Sequence, residues 1–102
     1  MSEMELFQTH TLLSDRARLA ILASLASSPD GRSFNELLAS LELTKGNLSS
    51  HLRKLEDGQL IEVTKSFVGR KPHTSYRCSD TGRAALKQYL TAVESLLGSL
   101  KK

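Results

Sequence analysis

Between Thr44 and Ile61 the chain runs TKGNLSSHLRKLEDGQLI, and the spacing of its leucines constrains that stretch more than any other feature. Leu48, Leu52 and Leu55 recur at steps of four and three, which marks one narrow apolar stripe along a helix. Rotation by about 100° per residue puts Gly46, Asn47, Ser50, Arg53 and Lys54 on the far side, with Ser49 and His51 on the flanks. Thr44 stands where a capping hydroxyl can accept from the first free amides. A few residues on, Val68-Gly69-Arg70-Lys71-Pro72-His73-Thr74 makes a basic turn. A cationic helix beside a cationic hairpin tip suits a duplex, where one element enters a groove and the other grips the adjacent backbone.

The flanking sequence completes a small domain spanning 1–102. Ser14 and Asp15 precede a helical pattern through Ser27 that sets Leu19, Leu22 and Leu25 on one side, and Pro29-Asp30-Gly31 ends it as a turn. Arg32 and Ser33 have room only for a very short strand. Ser33-Phe34-Asn35-Glu36 has the spacing of a capping box and opens a helix to about Leu41. Glu42-Leu43 allows only a tight turn before Thr44, so two short helices meet sharply, the second amphipathic and cationic. Ile61 and Val63 alternate with Glu62 and Thr64 as a half-buried strand. Gly69 supplies the turn, Pro72 stiffens its exit, and Ser75–Cys78 returns antiparallel. Ser79 caps a last helix from Asp80 to about Leu100. Along it Leu86, Leu90, Val93, Leu97 and Leu100 form a heptad seam longer than so small a core can cover.

The net charge is only +3, but it is unevenly placed. Residues 1–43 carry three basic and six acidic side chains, residues 44–77 seven and three, and residues 78–102 four and two. Positive charge therefore gathers on the segment that holds the candidate helix and turn. No run of eighteen apolar residues could span a membrane, and MSEMELFQTH lacks the basic and apolar regions of a signal peptide. One cysteine, Cys78, excludes an intramolecular disulfide and fits a reducing, cytoplasmic setting. Cys78 is expected to pack as a small hydrophobe. His10, His51 and His73 are far apart and show no metal-ligand spacing; no phosphate-binding glycine loop or nucleophile elbow is present. The sequence points to neither an enzyme nor a metal- or cofactor-binding protein.

At this point the residues match a known pattern. Thr44-Lys45-Gly46-Asn47-Leu48-Ser49-Ser50-His51-Leu52-Arg53-Lys54-Leu55-Glu56, then Phe67-Val68-Gly69-Arg70-Lys71-Pro72, then Tyr76 and Thr81-Gly82-Arg83, resemble the winged helix-turn-helix transcriptional regulators of the MarR/ArsR type. The similarity is greatest to their small stand-alone members and covers nearly everything from Ser14 to Leu90. It implies a mainly α fold: a three-helix core, a two- to three-stranded antiparallel sheet with a β-hairpin wing, and a long C-terminal helix. It also implies a homodimer whose recognition helices enter successive major grooves while the wings contact minor groove or backbone. In one place the chain departs from the pattern. The family's glycine directly before the Leu-Ile pair is displaced by one, so that Gln59 holds that position and Gly58 precedes it. Either Gln59 takes the left-handed cap, at roughly 1 kcal/mol, or the cap moves to Gly58.

Candidate DNA contacts on the helix are Thr44, Lys45, Gly46, Asn47, Ser49, Ser50, His51, Arg53 and Lys54. Asn47 suits an adenine edge, Arg53 guanine or phosphate, and Ser50 either, while Lys45 and Lys54 hold phosphate. Thr44 sits among free amides suited to a phosphate oxygen, and Gly46 lets the helix approach closely. His51 suits an internal hydrogen bond as well as a phosphate. On the wing, Arg70 and Lys71 lead, with Lys65, His73 and Thr74 as backbone contacts. Phe67 and Tyr76 are expected to face the core. Leu86 and Leu90 should pack inward, and Val93, Leu97 and Leu100 toward a second copy, helped by Leu6, Phe7, Leu12 and Leu13. The partner expected is double-stranded DNA, with repression by occlusion of a pseudo-palindromic operator. A small-molecule effector in the dimer cleft is left open, with no polar cluster marking it. Two other uses of such a domain are protein–protein contact, which calls for an apolar patch on the third helix, and RNA binding, which calls for exposed stacking aromatics.

Overall fold

The computed structural model describes residues 10–101. Helical residues at 10–13 lead into α1 (Arg16–Ala26), β1 (Arg32–Ser33), α2 (Phe34–Leu41), α3 (Lys45–Asp57), β2 (Ile61–Val68), β3 (Lys71–Cys78) and α4 (Asp80–Leu100). The strands form one antiparallel sheet in the order β1-β3-β2. This is the winged helix architecture that the sequence leads one to expect.

Each helix begins at a side chain that accepts from an amide otherwise left unpaired. Asp15 Oδ1 accepts from the Arg18 N–H at 3.0 Å. Ser33 Oγ accepts from the Glu36 N–H at 3.1 Å while Glu36 Oε1 accepts from the Ser33 N–H at 3.1 Å, so the capping box is complete. Thr44 Oγ1 accepts from the Asn47 N–H at 3.1 Å. Only Glu42, Leu43 and Thr44 separate α2 from α3, and the sharp reversal is made by Glu42 in the left-handed region at φ 54°.

The core is aliphatic. Ile21, Leu22 and Leu25 of α1, Leu37 of α2 and Leu48, Leu52 and Leu55 of α3 are buried together with Leu60, Ile61, Ala85 and Leu86. Burying one such leucine stabilises by roughly 1.5–3 kcal/mol. The stripe that locates α3 in sequence is therefore also what presses it onto the domain.

The end of α3 is settled in favour of Gln59. Gly58 is the C-cap at an ordinary φ of −80°, and Gln59 is left-handed at φ 62°. The Leu60 N–H donates to the Leu55 carbonyl and the Gln59 N–H to the Glu56 carbonyl, both at 2.9 Å, which is the paired bonding of a Schellman cap. Ser79 then ties the start of α4 to this cap. Its Oγ donates to the Gln59 carbonyl at 2.8 Å and accepts from the Gly82 N–H at 2.9 Å. A Cβ on Gly82 would overlap the Leu60 carbonyl, so only glycine fits where the two segments meet.

The hairpin differs from expectation in length. β3 begins at Lys71 rather than Ser75, and the turn is only Gly69-Arg70, with Val68 opposite Lys71. Gly69 has φ +66° while Arg70 does not enter that region, the pattern of a two-residue II′ turn. Pro72 does not break the ladder. Counting from the turn, Phe67 and Pro72 form a pair that exchanges no hydrogen bonds, so the missing N–H is not needed there.

Candidate nucleic-acid interface

The buried stripe of α3 turns its other face outward. Thr44, Lys45, Gly46, Asn47, Ser49, Ser50, Arg53 and Lys54 are all exposed. Nothing lies within 4 Å of where a Cβ on Gly46 would stand, so the fold does not require glycine there and the space is open to a ligand. His51 is different. It is half-buried, and the Arg18 guanidinium donates to its Nδ1 at 3.3 Å while Arg18 Nε donates to the Leu12 carbonyl at 2.8 Å. Arg18 thus links α1, the preceding helical turn and the recognition helix. Of the alternatives open for His51, this geometry gives the internal hydrogen bond.

Wing and recognition helix share one side of the molecule. A groove of about 270 Å³ runs between them, lined by Ser49, Arg53 and Glu56 from α3 and by Val63, Lys65, Thr74 and Tyr76 from the hairpin. Lys65, Arg70 and Lys71 are exposed on the wing, and His73 and Thr74 are half-buried nearer its root. Among the described residues the one ion pair joins Arg18 and Asp15 at 4.0 Å. Lys45, Arg53, Lys54, Lys65, Arg70 and Lys71 therefore hold their charges without a carboxylate partner among the described residues. Tyr76 is half-buried at the groove floor, where burial, with Glu56 nearby, raises its phenol above the usual 10.0. It stays neutral and can donate.

Several expected placements are corrected. Phe67 does not face the core; it is 72% exposed. The face alternation that assigns it inward is right, but Phe67 lies four residues beyond Val63, past the end of the helices that could cover it. Leu13 is completely buried in this chain's own core and has no surface to offer a second copy, because the turn at 10–13 folds back onto α1. Leu12 is half-buried against the same core. Leu90 is exposed instead of inward, since it is the neighbouring Tyr89 that packs against the core on the turn after Leu86. Val93, Leu97 and Leu100 are exposed as expected, and Leu96, outside the expected seam, is exposed beside them. Leu6 and Phe7 fall outside the described residues. Cys78 is half-buried, and burial pushes its thiol above the ordinary 9.0, as suits a packing role.

Among the described residues no group of three or more His, Cys, Asp or Glu side chains could hold a metal, and no helix is long and apolar enough to cross a membrane. The sequence pattern of the winged helix DNA-binding domain family matches residues 17–97. The chain belongs to that family. This winged helix is 38% identical over 63 residues to an uncharacterized protein of Methanocaldococcus jannaschii, a match covering 62% of this chain and 68% of the relative. A transcriptional regulator homologue from Pyrococcus horikoshii superposes with a TM-score of 0.84 at 29% identity, covering 97% of this chain and 99% of that one. An ArsR-like transcriptional regulator from a Rhodococcus species aligns at 26% identity and a TM-score of 0.62, over 96% and 84% of the two chains. MarR-family regulators share the fold at lower identity. The family to which this winged helix belongs is one of DNA-binding domains, not of enzymes.

Proposed function

We propose that this winged helix is a sequence-specific, double-stranded-DNA-binding transcriptional regulator that works as a homodimer and represses by occluding a pseudo-palindromic operator. The observation that carries the reading is the set of six cations, without an ion-pair partner among the described residues, spread over α3 and the wing, two elements joined along one groove. A polyanion on that side would meet Lys45, Arg53 and Lys54 from the helix and Lys65, Arg70 and Lys71 from the hairpin. Asn47, Ser50 and Arg53 are the base readers, and the lysines position the duplex. The exposed face of α3 carries no apolar patch of the kind a protein-contact domain would need there.

Dimerisation is supported by α4. Its buried residues are Gly82, Ala85 and Leu86, and the second half of the helix leaves Leu90, Val93, Leu96, Leu97 and Leu100 uncovered. Two copies joined there would present two recognition helices to half-sites about 34–36 Å apart. Selection of bound sequences from a random duplex library at physiological salt tests the reading directly. A two-fold-symmetric motif is expected, and affinity for it should fall roughly 10³-fold or more between 50 and 200 mM salt if six or more phosphates are held. Absence of enrichment would discard the sequence-specific reading.

A further inference from the structure

Phe67 is the one aromatic side chain among the described residues that stands mostly in solvent. A lone exposed apolar residue is ordinary; the setting of this one is not. Alternation along β2 places it on the face that carries Val63 and Lys65, and the register sets Pro72, Thr74 and Tyr76 opposite those three. Val63, Lys65, Thr74 and Tyr76 line the groove beside α3, so Phe67 and Pro72 continue its wall outward. Phe67 lies about 13 Å along the strand from Val63. Pro72 faces it across a pair without ladder hydrogen bonds, the kind in which side chains come closest, and so backs the ring. Lys65 precedes it and Arg70 and Lys71 come after it, all three without an ion-pair partner among the described residues. An apolar ring fixed among free cations, on the groove side of the molecule, fits a polyanion that also has apolar edges.

We propose that Phe67 is the wing's apolar contact with duplex DNA, its ring packed against deoxyribose edges along the rim of the minor groove next to the segment held by α3. The proposal rests on the duplex-binding function proposed for the whole domain. A minor groove about 6 Å wide admits side chains at the hairpin tip but not both strands. Gly69 and Arg70 then enter, and Phe67, two residues back from the turn, meets the rim where the sugars lie. Apolar side chains are used in this way at minor grooves. A single-stranded partner would call for a series of stacking rings, and among the described residues Phe67 alone stands mostly in solvent.

The test uses the full chain and the duplex recovered by library selection, with affinity measured by fluorescence anisotropy over a range of salt concentrations. Phe67→Ala should bind roughly tenfold more weakly at every salt concentration. The slope of log affinity against log salt should not change, because the ring releases no counterions. Phe67→Leu should recover most of the loss, and both variants should melt with the wild type because the side chain is in solvent. Wild-type affinity in Phe67→Ala would overturn the proposal, as would a reduced salt slope. So would a loss of self-association with duplex binding intact, or a Phe67-dependent preference of the wild type for single-stranded RNA of equal length. If the wild type itself selects no duplex, the duplex reading fails before any variant is compared, an outcome distinct from a silent Phe67→Ala in a protein that binds.

Discussion

Gln59 and Glu42 both occupy the left-handed region, at φ 62° and 54°, where a side chain's Cβ crowds the backbone. Each ends a helix, and each is held there by a neighbouring cap: Thr44 opens α3 two residues after Glu42, and the Ser79 hydroxyl bonds the Gln59 carbonyl. Gln59→Gly keeps every bond of the cap and removes the crowding, so it should stabilise the protein by about 1 kcal/mol, seen as a higher melting midpoint. Gly58→Ala has the opposite sign and a small size. Its φ suits any residue, and the added methyl crowds the end of the flexible Leu12 side chain while the Lys54 and Leu55 carbonyls stay at ordinary contact distance. Gly82→Ala should be the severe change, costing about 1–3 kcal/mol or more, because its neighbour is the Leu60 backbone carbonyl, which cannot move aside. Chemical denaturation of the three variants gives the order directly. Gln59 and Gly82 differ in how readable they are. The shifted glycine is visible in sequence as two alternatives, but choosing between them needed the Ser79 bond, twenty residues away. The demand for glycine at 82 comes from a contact with Leu60 that no local pattern encodes.

The N-cap of α1 links sequence to pH dependence. The Asp15 carboxylate accepts the Arg18 N–H, which with the Arg18 charge holds its pKa below the ordinary 3.8 despite some burial. A carboxyl depressed in the folded state adds stability that is present above the unfolded value and lost as pH falls through the folded one. Stability should therefore decline as pH drops below about 4, with Asp15 contributing modestly because it is partly in solvent. Asp15→Asn keeps a good cap and removes the titration. The variant should melt slightly below the wild type near pH 7, lose less than the wild type between about pH 4 and 2, and so converge with it at the acid end. The wing makes an electrostatic prediction of another kind. Arg70→Ala with Lys71→Ala removes two exposed, unpaired charges, so the salt slope of duplex binding should fall by roughly 2 if both hold phosphate. Asn47→Ala should instead relax preference at particular bases and leave the slope alone. Helices were legible because caps and leucine spacing both declare them. The outer half of the wing was not, because β3 between Lys71 and Thr74 packs against no core and so carries no alternation of apolar and polar residues. Phe67 was misplaced for the same reason: the rule that assigns a face does not say where the core ends.

At the scale of the molecule, α4 is the element that the rest of the chain does not account for. The protein measures 58 Å along its longest axis and 29 Å and 24 Å across the others. The α4 helix alone spans about 30 Å of axial rise. Beyond Tyr89, which still packs against the core, the apolar positions have no cover among the described residues, and Leu100 is 83% exposed. The heptad spacing made this helix readable from sequence, while the assignment of Leu13 to the same contact failed because burial within one chain and burial between two leave the same apolar signature. A seam at Val93 and Leu97 would do two things together: remove those side chains from water, and fix the distance between two recognition helices. Val93→Glu with Leu97→Glu separates these roles from folding, since neither residue belongs to the core. Light scattering should give the mass of two chains for the wild type and one for the variant, with melting of the individual domain little changed. On a duplex bearing a single half-site the two proteins should bind alike. On the full pseudo-palindrome the variant should lose the gain that comes from holding two sites at once, which can reach about 10²-fold or more when the spacing is right. An unchanged mass together with unchanged binding to the palindrome would remove α4 as the dimer seam and leave its exposed leucines to another partner.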